Sequence, residues 1–145
     1  MGGIGVAVRV HQRLDYALRA LVLLALQPDG EVIAAGDLAE YLGLPRRFVE
    51  QQITVLARVG IVRCKRGAAG GCTLGRPASE ITVLDVIQAL QGEVLDVPHV
   101  TGSAASLFWE ETAEELSAFL GKKTLSALAE KQRDLDMAAS SMYWI

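Results

Sequence analysis

Two cysteines, Cys64 and Cys72, bracket a glycine-rich stretch in CKRGAAGGCTLGRP, residues 64–77, together with the cations Lys65 and Arg66. Thiols can ligate a metal, form a disulfide or simply fill space, and a glycine-rich turn can cradle phosphate. A metal held by one chain ordinarily takes three or four protein ligands. Besides the cysteines only His11 and His99 could supply nitrogen, and neither lies near them in sequence, so no metal site is expected. A nucleotide-binding loop needs a strand before it, a helix after it and Gly-Lys-Ser/Thr within it. Here Pro77 closes the second run and that tripeptide does not occur. Thiols on opposite arms of a hairpin could approach, so a redox-active pair stands as an alternative to the plainer reading of two small residues filling the hairpin's packing. The hairpin itself reads as an element that touches something negative. Lys65 and Arg66 suit phosphates or a narrow minor groove, while Gly67 and Gly70 allow close backbone approach and positive φ.

A second set of residues has the types that read base edges. RRFVEQQIT, residues 46–54, places Arg46, Arg47, Glu50, Gln51 and Thr54 along the start of a predicted helix. Arginine can pair two N–H groups with guanine O6 and N7, Gln51 can do likewise with adenine, and Glu50 can accept from cytosine N4. Adjacent arginines in a first helical turn oppose the helix dipole. That local cost argues for a function beyond an ordinary solvated face.

The elements around these residues follow from periodicity and punctuation. HQRLDYALRALVLLAL, residues 11–26, carries a broad apolar stripe at helical spacing and ends at Pro28 and Gly30. EVIA, residues 31–34, is a short β-prone run. A short helix over about 37–42 stops at Gly43, and a second, over about 45–59, opens on Pro45 and closes at Gly60. Two helices joined by two or three residues mark a helix-turn-helix, and the hairpin follows at once. The sequence therefore predicts a mainly α fold with a small β-wing, a winged helix-turn-helix domain. Thr82 and Asp85 have capping-box spacing at the start of a helix that ends at Gly92. Residues 93–106 lack a period and read as a loop; residues 107–120 form a strong helix whose apolar residues need cover, expected from a second copy of the chain. A shorter helix follows Gly121, then a tail, AASSMYWI, whose aromatics have no predicted place. The expected division is a DNA-binding domain over 1–92, the loop over 93–106, and a dimerisation helix with C-terminal helix and tail over 107–145.

Charge supports the same assignment. The 145-residue chain is −3 in all, but Arg46–Arg76 holds seven cations and one acid, net +6, while 92–145 holds four cations and nine acids, net −5. A localised positive field is the footprint of a polyanion partner, and it disfavours the alternative of a winged helix that binds protein. The longest apolar run, Ala20–Leu26, is far short of a bilayer span. With no basic-then-apolar leader and only two cysteines, the expected compartment is the cytoplasm. No nucleophile–base–orienter set is visible, so an enzyme is not expected.

The chain resembles the IscR/NsrR-type family of small winged helix-turn-helix transcription regulators. The likeness runs through RLDYALRALVLLA, DLAEYLGLPRRFVEQQITVLARVGIV, KRGAAGGCTL, ITVLDVIQALQG and FLGKKTLSALAE, with Cys72 where the family's wing carries an aromatic. The resemblance implies a homodimeric repressor on a palindromic operator, with Arg47, Phe48, Glu50 and Gln51 reading or positioning DNA and Arg66 at the wing. Cluster-binding relatives carry three closely spaced cysteines before the dimerisation helix. Here that loop, GEVLDVPHVTGSAASLF, has none, so no iron–sulfur cofactor is expected. A small molecule, a partner protein or the redox state of Cys64 and Cys72 is left open as the signal.

Overall fold

The computed structural model describes residues 9–142. Its helices are α1 (Gln12–Ala25), α2 (Ala35–Leu42), α3 (Arg46–Arg58), α4 (Val83–Gln91), α5 (Ala104–Leu120) and α6 (Leu125–Met142), with strands β1 (Val62–Lys65) and β2 (Gly71–Leu74) between α3 and α4. The architecture is mainly helical with one small sheet, as the residue pattern predicts.

The apolar stripe of α1 supplies Leu14, Ala17, Ala20, Leu21 and Leu24 to the core. Leu38 of α2, Val49, Ile53 and Leu56 of α3, and Val86 of α4 close over it. Gly43, in the left-handed region at φ 69°, ends α2 and lets the chain turn at once into α3. Pro45 is the residue just before α3, one position earlier than its expected place inside the first turn. The capping box of α4 is formed: Asp85 N–H donates to Thr82 Oγ1 at 3.1 Å, and Thr82 N–H to the Asp85 carboxylate at 2.9 Å.

The hairpin is antiparallel, pairing Val62 with Leu74, Arg63 with Thr73, Cys64 with Cys72 and Lys65 with Gly71. Its tip is therefore the five residues 66–70. A third piece of backbone joins it: Ile33, from the β-prone EVIA run, exchanges both of its hydrogen bonds with Cys72 at 2.8 and 2.9 Å.

Three elements differ from the sequence reading. Helix α2 starts two residues earlier than expected, at Ala35. Helix α5 starts at Ala104 rather than 107, because Ser103 Oγ accepts from Ser106 N–H and caps it. Helix α6 is not short: it runs on to Met142 through Ala138 and Ala139, good helix formers with no Gly or Pro to stop them. Of the expected tail, Tyr143, Trp144 and Ile145 lie outside the described residues. Helix α6 also returns to the first helices. Leu125 N–H donates to Ile81 O at 2.9 Å, Val83 N–H to Lys123 O at 2.8 Å, and Leu125 is fully buried in the same core as Leu21 and Leu38.

Candidate nucleic-acid interface

Helix α3 turns one face inward through Val49, Ile53 and Leu56 and leaves Arg46, Arg47, Glu50, Gln51 and Thr54 exposed. The apolar spacing i, i+4, i+7 forces this split: once those three are buried, the polar positions between them face solvent. No side chain caps the N-terminus of α3 and its first turn holds no acid, so the amides there are available to an anion.

The exposed residues are not equivalent. Arg46 Nε donates to Glu50 Oε1 at 2.7 Å, and its guanidinium lies over Gly36 in the first turn of α2. Arg46 and Glu50, both expected to reach bases, are thus engaged with each other. Thr54 Oγ1 donates to the Glu50 carbonyl of its own helix at 2.8 Å. Phe48 is half-buried with its ring edge-on to Tyr16 at 6.4 Å, a contact that fixes α3 against α1. Among the described residues Arg47 and Gln51 make no side-chain hydrogen bond or salt bridge.

At the wing, Lys65, Arg66 and Gly67 are exposed, and neither cation has a salt-bridge partner among the described residues. Gly67 has φ +107° and nothing within contact distance of where a Cβ would lie. Gly70 is packed tightly within the hairpin. A Cβ there would press on the Lys65 carbonyl, while its N–H donates to Gly67 O at 2.9 Å, so glycine is required inside the hairpin itself. Sequence reasoning missed two further glycines of this kind. A Cβ on Gly71 would meet the Ile33 and Ala34 backbone at 2.8–2.9 Å, and one on Gly75 would press on the Gly60 carbonyl. The paired glycines ahead of Cys72 were the available signal, but the partner segments lie too far away in sequence to be read from it.

The cysteines occupy unlike surroundings: both are free thiols, Cys64 exposed and Cys72 buried. Burial, with hydrogen bonding and charge from Cys64, pushes the Cys72 thiol up to about 12.

Residues 10–131 match the Rrf2 family profile, described as an iron-dependent transcriptional regulator. The chain belongs to the Rrf2 family. Rrf2 proteins are DNA-binding transcriptional regulators, not enzymes, and that is the class of this chain. It is 29% identical to the transcriptional regulator IscR of Xenorhabdus nematophila over 90% of this chain and 85% of that one. Among solved structures it is similar to T. potens IscR (TM-score 0.78, 29% identity, 94% of this chain and 97% of that one). It is similar as well to CymR, the global cysteine regulator of B. subtilis (TM-score 0.77, 25% identity, 86% and 98%). No helix among the described residues is long and apolar enough to cross a membrane.

An iron-dependent Rrf2 regulator needs donors for its metal, and the region before α5 can be tested for them. His99 Nδ1 lies 2.6 Å from Glu110 Oε1, and the loop has no thiol. Among the described residues no three His, Cys, Asp or Glu side chains converge on one point. An iron–sulfur cluster is held by thiolates or by mixed sets that include them, and one imidazole beside one carboxylate does not fit such a group.

Proposed function

We propose that this Rrf2 protein is a homodimeric repressor that binds a palindromic operator without an iron–sulfur cluster. Each α3 enters a major groove and each wing follows the adjacent minor groove or its phosphates. Arg47 and Gln51 are the base readers, and Lys65, Arg66 and Gly67 are the backbone contacts. Arg46 and Glu50 hold each other and frame the reading face. The observation that carries this reading is the pairing pattern: Arg46 is engaged within the protein, whereas Arg47 and the wing cations are left to an outside partner.

The dimer forms through α5. Ser106 is its one buried residue, while Leu107, Phe108 and Phe119 are more than half exposed. Phe108 and Phe119, eleven residues or about three turns apart, share a face. The occupant is a second copy of the chain, since a palindromic site matches a two-fold protein. The lack of thiolate donors before α5 supports a cluster-free regulator.

The test compares two variants on a duplex selected from a random-sequence pool by the wild-type protein. Arg47→Ala is expected to lose about 1–3 kcal/mol on that duplex and to relax its sequence preference. Arg66→Ala is expected to weaken all duplexes alike and to reduce the salt slope by about one. Unchanged affinity in both variants would overturn the proposed interface.

A further inference from the structure

The wing contains a feature that DNA binding alone does not use. Cys64 and Cys72 lie directly opposite each other in an antiparallel pair, so their side chains leave the same face of the hairpin. The kind of pair follows from the third backbone segment. Cys72 spends both its N–H and its C=O on Ile33, at 2.8 and 2.9 Å. Both groups of a strand residue point to one side, so neither points toward β1. Cys64–Cys72 is therefore the narrow, non-hydrogen-bonded kind of pair, with Cα atoms about 4.5 Å apart and side chains at their closest. Disulfides span Cα separations of roughly 4.4–6.8 Å, which puts this pair within reach at the tight end.

We propose that Cys64 and Cys72 form a dithiol oxidation site in the wing, where a hydroperoxide oxidises the exposed thiol and the buried one closes a disulfide. The Cys64 thiolate attacks the peroxide: a sulfur–oxygen bond forms, the oxygen–oxygen bond breaks and an alcohol or water leaves with the proton. Cys64 has then lost two electrons and is a sulfenic acid. The Cys72 sulfur attacks it, the sulfur–sulfur bond forms, the sulfur–oxygen bond breaks and water departs with the Cys72 proton. The order follows from exposure, because only Cys64 meets solvent. In the reduced wing, burial first and then its hydrogen bond with Cys64 hold the proton on Cys72, which leaves with the sulfenic oxygen as water when the disulfide closes.

The consequence for DNA rests on the function proposed above. A bond at the tight end of the allowed range pushes the strands apart, and β2 is anchored to Ile33 while β1 has no such anchor among the described residues. The movement falls on β1 and on Lys65 and Arg66, which follow Cys64 directly. Oxidation therefore weakens the phosphate contacts of the wing and leaves α3 as it was.

The experiment uses the full chain, reduced without oxygen and then treated with stoichiometric hydrogen peroxide. The expected product is lighter by two hydrogen atoms and yields a tryptic species joining residues 64–65 to 67–122, since the Arg76–Pro77 bond resists trypsin. On the selected duplex its affinity falls about tenfold and its salt slope by about one, and a thiol reductant restores both. Cys64→Ser, an exposed change that leaves the core intact, is expected to bind DNA equally well with and without peroxide. Over-oxidation of Cys64 beside a free Cys72, a disulfide between two copies, or a Cys64→Ser variant that still responds would overturn the site. Full conversion with unchanged affinity would overturn its regulatory role. Failure of the reduced protein to retain any duplex would instead sink the DNA-binding function, and the mass measurement would still decide the disulfide.

Discussion

Helices α3 and α5 both carry apolar residues at helical spacing, yet the fold treats them oppositely. Helix α3 buries Val49, Ile53 and Leu56 within its own chain and keeps a polar face outside. Helix α5, four residues longer, buries only Ser106 and exposes Leu107, Phe108, Trp109 and Phe119. One helix has its hydrophobic demand met and is free to read a polar ligand. The other still has that demand and can satisfy it by pairing. The proposed dimer uses one helix of each kind.

The sharpest way to break this contrast is to remove burial from α3. Leu56→Ala should cost about 2–5 kcal/mol in chemical denaturation, since Leu56 is only 2% exposed and its loss leaves a cavity. If that cost proves no larger than the cost of Phe119→Ala, the contrast fails. Introducing charge on α5 should act elsewhere: Phe108→Glu with Phe119→Glu is expected to give a folded monomer by sedimentation, with native helical circular dichroism. A dimer that survives both changes would move the interface away from α5.

Smaller effects sharpen the division within α3. Arg46→Ala is expected to weaken binding less than Arg47→Ala in a titration of the same duplex, because Arg46 is engaged by Glu50 and an exposed i,i+4 pair is worth about 0.5 kcal/mol. Equal losses would return Arg46 to the reading face. The smallest effect lies in pH. The Cys72 thiol is raised from 9.0 to about 12 in the fold, so above pH 9 the unfolded chain gives up that proton while the folded chain keeps it. Stability attributable to Cys72 should therefore be intact below pH 9 and decline from there toward 12. Thermal denaturation at pH 8 and 10 checks this, with Cys72→Ala expected to flatten the difference.

Much of the interface was legible because its signals are local. Gly43 and the short link after it announce the helix-turn-helix, and the spacing of Val49, Ile53 and Leu56 decides which face of α3 is left outside. The Arg46–Glu50 pair was also within reach of sequence reasoning, since i,i+4 opposite charges meet on a helix, but the base contacts expected of both residues obscured it. The cap at Ser103 was hidden because a loop serine becomes a cap only when the chain behind it turns. The purposes of Gly70, Gly71 and Gly75 depend on which backbone lies beside them, and composition carries no such information.

The amino-acid order by itself determined the succession of helices and hairpin, the basic middle and the acidic end, because helical period, glycine stops and charge are properties of neighbouring residues. Only the tertiary structure decided that Ile33 grips Cys72, that Leu125 returns to the core at Ile81, and that one cysteine is buried while its cross-strand partner is exposed. The first two join segments some 40 residues apart, and burial and backbone pairing at that range are set by how the whole core closes.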